Sequence, residues 1–261
     1  GQPGYELFGP WKDYDKVRSA LLAAGEEFGI RPSGGRTYSS NTLESGWIPS
    51  PLPALYTGEG SKGFREWAGA KCYEGMTSLG GSFVSDNIED YYLNPWELGY
   101  GIMVKFDHDF IGREALEKMV DQPKRKKVTL ALDNEDVMRV QSSMLTKGAP
   151  RAKYMDYPSA VYAMHPYDMV LDADGKMAGI STWIGYTQNE GRFLSLAMVD
   201  ESIAEPGTEV TLVWGEPDGG TRKPTVEPHE QTQIKAVVAS VPYSEVARDN
   251  YADGWRTKAK A

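Results

Sequence analysis

Cysteine is almost absent: Cys72 is the only one in 261 residues. A single thiol excludes an intrachain disulfide, and a reducing cytoplasm is the simplest compartment for it. Histidine is nearly as scarce. His108, His165 and His229 are far apart in sequence, without an HExxH pair or the Cys/His spacing of a zinc site, so no metal is expected. Positive charge is in deficit, with 28 Lys and Arg against 37 Asp and Glu and a formal net charge of -9. Nucleic-acid binders concentrate Lys and Arg on one face. Here the one dense basic run, Lys124-Arg125-Lys126-Lys127, leads straight into the alternating segment Val128-Thr129-Leu130-Ala131-Leu132 and reads as a solvated strand entrance, so nucleic acid is not an expected partner. No apolar run approaches the roughly eighteen residues of a membrane-spanning helix, and no membrane association is expected. A Gly-x-Ser-x-Gly elbow, a P-loop and a dinucleotide glycine fingerprint are also missing.

What is present is a globular composition, 40% hydrophobic and 25% charged, in a chain long enough for one large domain or two ordinary ones. Tyr5-Glu6-Leu7-Phe8 alternates like an inner strand that needs partners. Asp13 stands where it would cap a helix over residues 14–28, with Val17, Leu21, Ala24 and Phe28 on one stripe and Gly29 as the stop. Residues 48–94 are rich in Gly, Ser, Pro and aromatics and read as a long ordered loop with short elements. A turn at Asn94-Pro95-Trp96-Glu97, a strand over 102–106 and a helix from about Gly112 to Val120 follow, and Asp121-Gln122-Pro123 ends that helix. This places a domain boundary near residue 122, with units 1–122 and 123–261.

The second unit reads as all-β. Short apolar runs at 128–132, 177–184, 193–199, 210–214 and 234–241 are separated by turn signals at Asp172-Ala173-Asp174-Gly175, Pro206-Gly207 and Asp218-Gly219-Gly220, the pattern of a sandwich or small barrel. The whole is an α+β chain with an all-β C-terminal part.

The segment most suggestive of chemistry is Gly34-Gly35-Arg36-Thr37-Tyr38-Ser39-Ser40-Asn41-Thr42-Leu43-Glu44-Ser45-Gly46-Trp47. Two glycines permit a tight turn, and about two helical turns ending near Gly46 would present the phenol of Tyr38. Such a phenol either exchanges a proton or packs in the core with its hydroxyl on a carbonyl.

Several segments, in order, resemble the folate-dependent methyl and aminomethyl transferases related to the glycine-cleavage T-protein. They are Gly4-Tyr5-Glu6, Thr42-Leu43-Glu44-Ser45-Gly46, Asn94-Pro95-Trp96-Glu97-Leu98-Gly99-Tyr100-Gly101 and Phe110-Ile111-Gly112-Arg113-Glu114-Ala115-Leu116. Within that superfamily, Asn41 to Ala54, Ile88-Glu89-Asp90-Tyr91-Tyr92 and Gly220-Thr221-Arg222-Lys223 are similar to the tetrahydrofolate-dependent aromatic O-demethylases of the vanillate and 3-O-methylgallate type. Tyr38 stands where the aminomethyltransferases usually carry arginine, which favours the demethylase branch.

The resemblance implies a fold comprising the later part of a T-protein-like folate-binding α+β domain followed by a C-terminal β domain. It implies an enzyme that moves the methyl group of a methoxy-aromatic acid to N5 of tetrahydrofolate, leaving a catechol, in the catabolism of lignin-derived aromatics. Tyr38 matches a catalytic tyrosine, Glu6 the carboxylate that holds the pterin ring, and Trp47 a residue lining the folate pocket. The family's N-terminal half, which completes both pockets, has no counterpart here, so the chain is expected to be a partial one and inactive alone. The alternatives are another T-protein-like folate-dependent methyl or aminomethyl transferase and a non-catalytic folate-binding module.

Overall fold

A computed structural model describes residues 5–122, 125–148, 150–220 and 226–250. Gly4, Pro123, Lys124 and Thr221-Arg222-Lys223 lie outside the described residues. Six strands close into an antiparallel barrel: β2 (Arg125–Leu132), β4 (Asp168–Leu171), β5 (Met177–Thr187), β6 (Arg192–Asp200), β7 (Glu209–Trp214) and β8 (Thr232–Ala239). Their order around the wall is β2-β6-β5-β4-β7-β8, and β8 returns to β2, pairing Thr129 with Ala239 and Leu132 with Ala236. Closure removes the unpaired edges that an open sheet would present.

The barrel follows from period-2 patterning. Val128, Leu130 and Leu132 of β2 join Val170, Ile184, Leu212, Ile234, Ala236 and Val238 in one cluster drawn from every barrel strand, which is the barrel interior. Helix α5 (Asn134–Ser143) adds Val137 and Val140 to it. Asp133 caps this helix by accepting the amide of Asp136 at 2.9 Å.

A second cluster covers the outside of the β2-β6-β5 wall. Ala131, Ile180, Leu194, Leu196 and Met198 point outward there and meet Leu43, Ile48, Leu52 and Tyr91 from the first part of the chain. This explains why residues 193–199 are buried at every position: the barrel takes alternate side chains on one face and residues 43–91 cover the others. The core thus runs across residue 122.

Ahead of the barrel the chain forms helices α1 (Tyr14–Gly25), α2 (Arg36–Ser45), α3 (Lys62–Ala68) and α4 (Arg113–Met119), joined by 3-10 turns and loops. A two-residue strand β1 (Leu79–Gly80) pairs in parallel with β3 (His165–Pro166) and ties the long loop to the barrel.

Three local expectations are corrected. Tyr5 to Phe8 form no strand, and Phe8 is 89% exposed, because no neighbouring strand among the described residues offers its backbone partners. Asp13 makes no capping hydrogen bond, since it closes a 3-10 turn (Trp11–Asp13) that feeds directly into α1. Residues 102–106 are not a strand; a 3-10 turn (Gly101–Met103) occupies their start. The predicted α1 is otherwise present, continuing as a 3-10 turn over Glu26–Phe28 to a left-handed Gly29, but Val17, Leu21 and Phe28 are left exposed.

Gly46 ends α2 at φ 70°, and a Cβ there would stand 2.1 Å from Val241 Cγ2. Replacing it with alanine is expected to destabilise the chain by about 1–3 kcal/mol, combining left-handed strain with that contact. Urea unfolding at constant slope checks this.

Candidate functional site

Helix α2 lies on the outer face of β5 and β6, with Leu43 fully buried and Thr42 nearly so. Gly185 makes the close approach possible, for a Cβ there would meet Pro158 O at 2.1 Å and Leu43 Cδ1 at 3.1 Å. The far end of α2 is fixed by Glu44. That carboxylate accepts from Thr187 Oγ1, and Oε1 also accepts from Asn189 Nδ2 at 3.1 Å. The near end is less well held: Gly35 has an ordinary helical φ of -58° and no side chain caps the first turn.

Tyr38 sits in that first turn, 53% exposed, and meets Trp47 edge to face at 5.7 Å and 88°. Trp47 is itself 44% exposed. Among the described residues no hydrogen bond engages the Tyr38 hydroxyl, whereas its backbone carbonyl accepts from Thr42 Oγ1 at 2.8 Å. Two of the three expected site residues therefore stand together as an open aromatic surface. Such a surface can stack a planar ring and present a phenolic proton beside it. Glu6 is not part of it; it lies on the exposed segment before α1, with no hydrogen bond or ion pair to Tyr38 or Trp47.

Sequence reasoning missed two features. One is Trp183, which donates from Nε1 to the carbonyl of Ser39 at 3.4 Å. The other is a buried charged cluster beside the β7 end of the barrel. Lys153 Nζ donates to Glu216 Oε1 at 2.9 Å and lies 4.9 Å above the rings of both Tyr162 and Trp214. Gly81 N–H donates to the same Glu216 oxygen at 3.2 Å, and Ser82 N–H donates to Asp168 Oδ1 at 3.0 Å. His229 Nε2 accepts the amide of Glu216 at 3.0 Å, so the ring carries its proton on Nδ1, which faces Glu227 O at 2.8 Å. The cluster fastens residues 81–82 to β4 and β7. It is a structural network.

Its two carboxylates respond to pH in opposite senses. Burial raises the Glu216 pKa, but the hydrogen bond and charge of Lys153 outweigh it and hold the group below its ordinary value. Burial pushes Asp168 up to about 6, with the Lys153 charge and the Ser82 amide offsetting it only in part. A raised carboxyl holds its proton more tightly in the folded state. Its contribution is fully present below its unfolded pKa of about 3.9 and is lost as pH rises through about 6. The lowered Glu216 acts below that window, its contribution being lost as pH falls past the unfolded carboxylate range. Stability is thus expected to fall between roughly pH 4 and 6.5 by about 2 kcal/mol on account of Asp168, and Asp168→Asn should flatten that slope in urea titrations.

No protein-family profile matches the chain. Known proteins do match it, and they define a class, the O-demethylase and aminomethyltransferase proteins, to which this chain is similar over most of its length. The chain is 65% identical over 258 residues to a syringate O-demethylase of Sphingobium sp. (strain SYK-6), a match covering 99% of this chain and 55% of that protein. It is 31% identical over 268 residues to a sesamin methylene transferase of a Sinomonas species, covering 97% of this chain and 56% of the relative. An aminomethyltransferase of Caldanaerobacter subterraneus is 25% identical over 214 residues, 82% of this chain and 41% of the relative. The chain spans about half the length of the first two of these relatives.

Proposed function

We propose that this chain is the later half of an enzyme that moves the methyl group of a methoxy-aromatic acid to N5 of tetrahydrofolate, leaving a catechol-type phenol. The observation that carries the reading is an open pair formed by Tyr38 of α2 and Trp47 just past its end, in a chain that matches a syringate O-demethylase along 99% of its length. That relative makes syringate the first substrate to test, ahead of vanillate and 3-O-methylgallate, the acids expected from motif resemblance.

Bound tetrahydrofolate supplies the nucleophilic N5 that accepts the methyl group. Trp47, with its half-exposed ring, would pack against the folate. Tyr38 does the acid work. As the methyl–oxygen bond breaks, its electron pair stays on the ether oxygen, and an aryl oxide is a poor leaving group near neutral pH. The phenol O–H is a donor that can give its proton to that oxygen. Glu6 enters the site in this reading only when the missing N-terminal half pairs with residues 5–8, drawing that segment into the strand its alternation suggests. The two aromatics as they stand fit a planar ring, and Glu6 as it stands does not reach them. We further propose a division near residue 122, a C-terminal barrel unit over 123–261, and a cytoplasmic setting in which Cys72 stays reduced.

The test is turnover by the natural longer protein with syringate, vanillate and 3-O-methylgallate in turn, beside this chain alone. Methyltetrahydrofolate formed by the longer protein, and little or none by this chain, is the expected result. Turnover only with methylenedioxy aromatics or methylamines would favour a sister transferase, and folate binding without any turnover would favour a binding module.

A further inference from the structure

Strand β5 pairs with β6 residue for residue except between Thr182 and Ile184, where the register slips and Trp183 is the extra residue. Its φ of 53° is the only positive value at a non-glycine position among the described residues. A bulky side chain rarely takes that conformation, and such residues persist where the surroundings over-determine them. The surroundings here are built for it. The Thr182 carbonyl at the bulge accepts from Ser195 Oγ at 3.1 Å, and Ser195 is fully buried against Ser181. Bulges re-aim side chains, and this one delivers the indole of Trp183 to the carbonyl of Ser39 at 3.4 Å while its ring packs on the outer core cluster. Ser39 is the residue after Tyr38. No side chain caps the first turn of α2, and Arg36, Thr37 and Tyr38 are exposed, so this tether holds the turn against the barrel.

We propose that Trp183 is a positioning residue: the strained bulge holds its indole on Ser39 and thereby fixes the α2 turn that aims the Tyr38 phenol at the substrate's ether oxygen. The inference rests on the role given to Tyr38 above. Small misplacements of an acid cost rate rather than binding.

The experiment compares the natural longer protein with its Trp183→Phe, Trp183→Gly and Tyr38→Phe variants, and with Tyr38→Phe combined with each Trp183 change. Steady-state methyl transfer from syringate to tetrahydrofolate is measured beside the thermal midpoint. Trp183→Phe keeps an apolar ring and removes the N–H, and Trp183→Gly removes the ring while accepting φ 53° without strain. The expected result is a loss in kcat of about 10-fold or more in both Trp183 variants, with KM for folate unchanged and no further loss in the Tyr38→Phe background. Wild-type kcat in the Trp183 variants overturns the proposal, as does an equal loss with and without Tyr38, which is the mark of a purely structural defect. A Tyr38→Phe enzyme of wild-type rate overturns the reading of Tyr38 itself. A slow Tyr38→Phe enzyme beside a normal Trp183→Phe enzyme overturns only the present inference.

Discussion

Tyr38→Phe in the natural longer protein is expected to lower kcat for methyl transfer by about 10²–10⁴-fold while leaving KM for the aromatic acid nearly unchanged. The ring is half exposed and its contact with Trp47 is through carbon, so phenylalanine preserves the edge-to-face pair and removes only the hydroxyl. No hydrogen bond engages that hydroxyl among the described residues, so removing it leaves no protein group unpaired and should not disturb the fold. A rate loss without a stability loss therefore reports chemistry. The measurement is steady-state kinetics with syringate, paired with thermal unfolding. Equal rates for the two proteins would show that the aryl oxide leaves without help from this residue.

Lys153→Ala is expected to be the most damaging single change to stability, at about 3–5 kcal/mol. Lys153 is 3% exposed at its side chain and Glu216 is 13%, so truncating the lysine strands a buried carboxylate. It also empties the space above Tyr162 and Trp214, whose rings flank the ammonium at 4.9 Å. Among the described residues Glu216 Oε2 already lacks a hydrogen-bond partner, and without the lysine the carboxylate keeps only the Gly81 amide on Oε1 and the His229 ring, whose Nε2 lies 3.1 Å from Oε2. Changing Lys153 to Met and Glu216 to Gln together should recover much of the loss, because the buried charge goes with its partner. Urea unfolding of Lys153→Ala and of the four-member Met/Gln cycle checks both statements, and additive losses would show that the two residues do not act as a pair.

The barrel was legible because its strands obey a simple rule. Runs at 128–132, 177–184, 193–199 and 210–214 fall inside β2, β5, β6 and β7, and 234–239 of the fifth run lies in β8. Strand β4 was missed, since Asp168-Met169-Val170-Leu171 is four residues long and begins with a buried acid. Helix α5 was missed too, although Asp133 with Glu135 and Asp136 in the first turn is an N-terminal signal that could have found it. Tyr5 to Phe8 fail as a strand for a different reason: alternation states which face a strand would bury but cannot supply the neighbour.

The site was legible only in part. A turn, a helix and a left-handed Gly46 could be read from 34–47, and they do bring Tyr38 and Trp47 together. Trp183 left no trace in the sequence, because a bulge is a mismatch between two strands and not a property of one. The Lys153 cluster is hidden similarly, its ion pair joining residues 63 positions apart.

The most direct test of the central claim is to follow a ¹³C label from the methoxy group of syringate in the natural longer protein with tetrahydrofolate present. The label is expected on N5 of methyltetrahydrofolate, one equivalent for each phenol released. Label recovered as methanol or formaldehyde, or phenol formed without tetrahydrofolate, would contradict it.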